Sequence, residues 1–212
     1  FLFFFKNVEN VQEDSLKEGN VRNLKSIVLQ PRFLQAITAA AFAYAVMSFL
    51  MTATPLSMHV MENMSLKETG LVLQFHVVAM FLPSLITGNL IKKYGHSAII
   101  YGGVLFFFIT VLLSLFEQTY LNYMLSLIFL GLGWNFLFIS GTSLVVLTYN
   151  KEEKFKVQGI NDLIVFSTMA LASLSAGILL NSIGWKMMNI ICIPFLILII
   201  LVSFVADKKS AS

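Results

Sequence analysis

The chain has 212 residues, of which 58% are hydrophobic and 12% charged, with a net charge of +3. A soluble domain carries about a quarter charged residues, so this composition excludes the soluble classes and points to a membrane protein. The positive balance does not mark a nucleic-acid partner, because the basic residues sit in short connections between apolar runs and not on one soluble face.

In chain order, Phe1–Phe5 are apolar and end at Lys6, with neither a basic leader nor a small-residue cleavage site. They read as the end of a preceding transmembrane helix, so the chain is expected to be a piece of a longer one. Residues 6–32 form the only long polar stretch and read as a linker, with a short surface helix near Leu24–Leu29 and Pro31 suited to start the first full helix. Six apolar segments follow: Phe33–Met58, Glu68–Ile91, Ser97–Phe116, Tyr120–Tyr149, Phe155–Ile183 and Met187–Ala206. Each reaches the roughly 20 residues that cross a bilayer at about 1.5 Å rise per residue. The expected fold class is therefore all-α, with a six-helix transmembrane bundle over 33–206 and a tail over 207–212. The lipid bilayer is its first partner.

Twelve of the fourteen Lys and Arg residues fall on one side of this arrangement, leaving Lys67 and Lys186 on the other. Positive loops stay cytoplasmic, so both ends of the chain are expected inside a multi-pass protein, in a bacterial inner (plasma) membrane. Segments one to three and four to six read as two triplets, each with an outer hairpin, a basic inner turn and a helix rich in glycine or small residues. The single cysteine, Cys192, lies within the last segment and reads as a small buried apolar residue.

Polar side chains at membrane depth carry the functional expectations. His76 sits about 12 Å into the second segment and titrates near physiological pH, which suits a proton or a substrate hydrogen bond. Gln74 points nearly opposite, on a stripe of small residues, and reads as an interhelical contact. Asn135 lies near the middle of the fourth segment beside Trp134 and on one face with Thr142. An amide and an indole together offer hydrogen bonds and stacking to a neutral or aromatic solute. Asp162 is the one acid well inside a segment, near its basic end. A helix-dipole contact with a lysine partner and a gating or proton-coupling role both fit it.

The turn Gly88-Asn89-Leu90-Ile91-Lys92-Lys93-Tyr94-Gly95-His96-Ser97 resembles the loop signature G-x-L-x-D-[RK]-x-G-[RK]-[RK] of the major facilitator superfamily, at the place where that family carries it. Gly88, Leu90, Lys93 and Gly95 match, whereas Lys92 stands for the acid and His96 and Ser97 for the basic pair. Gly88 is expected to let two helices approach, and Gly95 to allow the tight turn. The small residues Ala172, Ser173, Ala176 and Gly177 agree with the packing motif of the family's fifth helices. The resemblance implies the C-terminal six-helix half of a secondary transporter with a 3+3 helix repeat. It also implies alternating access for a small-molecule substrate, and a missing N-terminal half in the same chain.

No nucleotide-binding run, metal-ligand spacing or cofactor motif is present, and the three histidines lie at different depths, so neither an enzyme nor a metal site is expected. The alternative reading is a six-helix membrane scaffold or receptor that moves nothing.

Overall fold

The computed structural model describes residues 22–211. The expected helix end at residues 1–5 and the linker up to residue 21 lie outside the described residues.

The surface helix α1 (Leu24–Val28) starts where the Asn23 side chain accepts the Lys25 backbone N–H at 3.0 Å. The first crossing, α2 (Pro31–Pro55), opens on Pro31 and continues as a π-helical turn, Leu56–Met61. The second begins two residues earlier than hydropathy suggests, because Ser65 and Glu68 close a capping box on α3 (Leu66–Phe81). Pro83, which has no N–H to donate, then interrupts it, and the crossing resumes as α4 (Ser84–Tyr94). Next come α5 (His96–Ser114) and α6 (Tyr120–Val146), the latter capped by the Thr119 hydroxyl. The last two helices are α7 (Lys154–Ile191) and α8 (Ile193–Ala211), so helix continues past the tail boundary drawn at residue 206.

Counted as uninterrupted stretches among the described residues, five are long and apolar enough to cross a membrane, and the last is 60 residues long. Sixty residues of straight helix would measure about 90 Å, some three hydrocarbon thicknesses. The stretch folds back instead at Gly184 (φ 75°, ψ 170°). Trp185, just past the turn, packs on Tyr123 at the start of α6, and Asp207 at the far end pairs with Arg32 at the start of α2. The expected six crossings are thus made, two of them within that stretch.

Gly95, between α4 and α5, has almost the same backbone (φ 84°, ψ 162°) as Gly184. Both conformations strain any residue with a Cβ. Both glycines join the second and third helices of a triplet, a concrete trace of the 3+3 organisation.

The core is built around α2 and α6. Helix α2 packs on α6, α7 and α8, and α6 packs on α5 and α3. Glycines let α6 come this close. A Cβ on Gly141 would meet the Ala36 carbonyl oxygen of α2 at 2.7 Å, and one on Gly131 would meet the His76 carbonyl oxygen of α3 at 2.7 Å. The close approach expected at Gly88 is not made among the described residues, because nothing lies within 4 Å of its Cβ direction. Gln74, expected as an interhelical contact on the same stripe, is exposed.

One end of the bundle is tied by polar groups. The Arg22 guanidinium donates to both carboxylate oxygens of Glu153, at 2.9 and 2.7 Å, and to the Thr148 carbonyl at 3.0 Å. Its backbone N–H also donates to Glu153 at 2.9 Å. Glu153 lies in the 3₁₀ turn Lys151–Glu153, before the apolar run that starts at Phe155. The Arg22 side chain, and after it the Asn150 backbone N–H, pull its carboxyl down to about 2. The folded value lies below the ordinary 4.5, so this clamp is complete above pH 4.5 and weakens as pH falls toward 2. Hydrogen exchange at the Arg22 amide checks it. Glu153→Ala is expected to lower protection at pH 7 by about tenfold, the scale of one charge-assisted bond. In the parent chain protection should fall only on acidification below 4.5. Equal protection in parent and variant at pH 7 would refute the clamp.

Candidate functional site

Five aromatic side chains from four helices meet on one side of the bundle. On α6, Trp134 and Phe138, one turn apart, stack with ring centroids 4.9 Å apart and planes 13° from parallel. Tyr44 of α2 sets its edge against both, at 5.3 and 5.0 Å. Phe81, the last residue of α3, touches Trp134 edge-on at 5.9 Å, and Phe166 of α7 touches Tyr44 at 6.1 Å. These are the offset and T-shaped arrangements that the ring quadrupole favours.

The cluster has a closed floor and an open rim. Trp134 is 4% exposed, whereas Phe81 is 59% and Phe166 51% exposed. Tyr44 and Phe138 are intermediate. Among the described residues the Tyr44 hydroxyl has no hydrogen-bond partner, and the buried Trp134 indole N–H has none. The arrangement offers ring faces, ring edges and the spare Tyr44 hydroxyl above the buried Trp134 N–H, a surface suited to a flat, partly polar ring system.

The expected site residues divide around this cluster. Trp134 forms its floor. Thr142 follows Trp134 and Phe138 at four-residue steps, and its hydroxyl donates to the Phe138 carbonyl at 2.7 Å. Asn135 faces the neighbouring α3–α4 break. Its amide donates to the Met80 carbonyl at 2.6 Å and to the Ser84 hydroxyl at 2.7 Å, and its oxygen accepts from Thr87 at 2.7 Å. His76 is fully buried between α3 and α6. Its Nδ1–H donates to the Leu127 carbonyl at 2.7 Å, which leaves Nε2 as an acceptor with no partner among the described residues. The carbonyl can only accept, so this bond fixes the tautomer.

Asp162 is exposed one turn before Phe166 on the same face of α7. It accepts from the Asn161 amide at 3.0 Å, and no lysine nitrogen lies within 4 Å of it among the described residues. In the loop motif Gly95 makes the turn, Leu90 is half-buried, and the Lys93 ammonium lies 5.0 Å from the Tyr94 ring centroid.

Sequence reasoning did not single out Tyr44, Phe81, Phe138 or Phe166. With 20 phenylalanines in the chain, an aromatic on a helix carries little signal. Only the Trp134–Phe138 spacing was there to be read. Also unforeseen is the polar knot at the basic end. Asp207 accepts from Arg32 at 2.8 Å, Ser97 at 2.5 Å and Tyr101 at 3.1 Å, and Gln35 donates to Ser97 at 2.9 Å.

Comparisons with known proteins bear on this geometry. A family model described as Major Facilitator Superfamily matches residues 2–212. The chain is 39% identical over 179 residues to the riboflavin transporter RfnT of Brucella anthropi, covering 84% of this chain and 45% of that protein. It is 27% identical over 192 residues to the uncharacterized MFS-type transporter YdeG of Bacillus subtilis, covering 90% and 44%. It is 30% identical over 151 residues to YddS, an uncharacterized MFS-type transporter of the same organism, covering 70% and 34%. The chain spans less than half the length of these curated relatives. The match over nearly every residue, the all-helical bundle and the apolar crossings agree: this chain belongs to the major facilitator superfamily and is an integral, multi-pass membrane protein.

Proposed function

We propose that the chain is one six-helix half of a secondary transporter, and that it binds a flat heteroaromatic solute of the riboflavin class against the aromatic cluster. The observation that carries this reading is the convergence of Tyr44, Phe81, Trp134, Phe138 and Phe166 from four helices onto one open-rimmed patch. A relative at 39% identity bears the name of a riboflavin transporter, and an isoalloxazine ring is a flat, polar-edged system of the kind such a patch fits.

In this reading the second six-helix half closes over the exposed rim and over the open stripe of Gln74, Ser84 and Gly88. The solute sits between the halves near the middle of the bilayer, and rocking of one half against the other exposes it to each side in turn. Trp134 and Thr142 belong to the cavity wall, and Asn135 holds the α3–α4 break beside it. Proton coupling is part of the proposal. Asp162 stands one turn from the rim, and His76 keeps a free ring nitrogen in the α3–α6 seam. The basic end, with Lys92, Lys93, Lys208 and Lys209, faces the cytoplasm of a bacterial inner membrane.

The test is riboflavin uptake by the full natural protein in proteoliposomes. Tyr44→Ala removes the ring that bridges α2, α6 and α7. It is expected to raise KM about tenfold, the scale of one aromatic pair with the solute, and to lower the thermal midpoint as well, because three ring contacts between helices go with it. Absence of riboflavin uptake by the parent protein, or an unchanged KM in the variant, would overturn the reading.

A further inference from the structure

A row of hydroxyls continues the aromatic patch along the seam between α2 and α7. Tyr44, Ser48 and Thr52 follow one another on α2 at four-residue steps, so each lies about 6 Å beyond the last and about 40° around the helix. The row turns toward α7, where the Thr52 and Ser173 hydroxyls share a hydrogen bond of 3.0 Å. Ser173 comes seven residues after Phe166, within about 20° of the same face of α7. The two helices run the same way along this seam. Tyr44 meets Phe166 at 6.1 Å, and further on in both helices Thr52 meets Ser173.

These hydroxyls keep hydrogen-bonding capacity that others on the two helices have spent. Thr54, Thr168, Ser175 and Ser182 each donate to a carbonyl of their own helix. Ser48 has no hydrogen-bond partner among the described residues. In the Thr52–Ser173 pair one O–H is given to the other oxygen, which leaves one donor hydrogen unspent. Thr52 is exposed, and Ser48 and Ser173 are half-buried, so the unspent groups can be reached from outside the bundle.

Their depth and chemistry narrow what they meet. Thr52 lies about 9 Å past the middle of the stretch Pro31–Met61, inside the roughly 15 Å of one hydrocarbon leaflet. Unspent polar groups at that depth belong against a cavity and not against lipid tails. A hydroxyl both donates and accepts, so a row of them pairs with another row of hydroxyls whichever way each bond runs. Ser48, Thr52 and Ser173 are uncharged, which suits an uncharged chain. The rise from Tyr44 to Thr52 is about 12 Å, room for a ring system on the patch and a short chain beyond it.

We propose that Ser48 and the Thr52–Ser173 pair form a second subsite, which binds the polyhydroxylated chain of a solute whose flat ring rests on the aromatic patch. This deepens the transport reading and rests on it, since the patch must hold the ring for the chain to reach the hydroxyls. The subsite makes the preferred solute a ring system with a polyol arm, and not a bare ring.

The test is equilibrium binding to the full natural protein in detergent, read by quenching of flavin fluorescence. The two probes are riboflavin and lumiflavin, which has the same ring system with a methyl group in place of the polyol chain. The parent should bind riboflavin more tightly. Ser48→Ala removes a hydroxyl that no described residue uses, and should weaken riboflavin binding about fivefold, the scale of one net hydrogen bond. Thr52→Val with Ser173→Ala removes both members of the pair together, a change that costs folding little, and should weaken riboflavin by a similar factor. Lumiflavin binding should be the same in the parent and in both variants. Equal affinity of the parent for the two flavins overturns the subsite. So do variants that bind riboflavin as the parent does, or that lose both flavins equally. In each of these outcomes the parent still binds a flavin, and the transport reading stands. A parent that binds neither flavin removes that reading and the subsite with it.

Discussion

Gly131→Leu is expected to abolish most of the folded protein. The glycine sits where α6 crosses α3, and even a Cβ there would stand 2.7 Å from the His76 carbonyl oxygen, 2.9 Å from the Ala79 Cβ and 3.0 Å from the Met80 backbone nitrogen. Two of these three neighbours are backbone atoms of a packed helix, which cannot swing aside as a side-chain tip can. Overpacking commonly costs about 1–3 kcal/mol when side chains can adjust, and here the helices themselves must part. Parting them also breaks the His76–Leu127 bond, which joins the same two helices. Helices in a bilayer gain their attraction from close contact, with no hydrophobic drive between them, so a lost contact is not replaced by another. Gly70→Ala and Gly159→Ala are the controls. Neither meets an atom within 4 Å, and alanine is the better helix former by about 1 kcal/mol, so both should fold as the parent does or better. Thermal midpoints in detergent check the set. A Gly131→Leu protein that melts with the parent would show that α3 and α6 are not held at this distance.

What could be read in the sequence, and what could not, follows from the range of each interaction. The crossings are local facts: about 20 apolar residues must span, and Ser65 with Glu68 or a glycine at position 95 or 184 marks where a helix starts or turns. The alternation of basic turns already implied the hairpins that the Arg32–Asp207 pair closes. The break at Pro83 was less visible, because a proline in a long apolar run leaves the hydropathy of the whole segment unchanged. The aromatic cluster was not visible beyond the Trp134–Phe138 spacing, since its other rings come from residues 44, 81 and 166, and only packing brings them together. Gly88 shows the reverse case. Its motif was legible, but its packing role has no partner among the described residues. Asp207 falls in the stretch read only as a tail over 207–212. Its three partners lie 106 to 175 positions away in the chain.

Asn135→Ala is expected to lower both stability and solute affinity, and the two losses have one cause. At the α3–α4 break, Pro83 provides no N–H, and the helix needs donors and acceptors from elsewhere. Asn135 supplies them from α6, with bonds to Met80, Ser84 and Thr87 of 2.6–2.7 Å. Taking roughly 0.6 kcal/mol for each interhelical bond in a membrane, three bonds amount to about 2 kcal/mol. The carbonyl of Met80 is then buried without a partner. The same break sets the position of Phe81, whose ring stands 5.9 Å from Trp134 at the rim of the cluster. In the proposed reading Asn135 therefore acts on the solute as a positioning residue, through Phe81. The pattern across variants tells this from direct contact. Asn135→Ala should lower the thermal midpoint and raise KM together, whereas Tyr44→Phe, which keeps the ring contacts and removes only the unpartnered hydroxyl, should raise KM with the midpoint little changed. Phe81→Ala combined with Asn135→Ala should raise KM no further than the larger single change, because both act through one ring. Full additivity of the two in KM would place Asn135 against the solute itself.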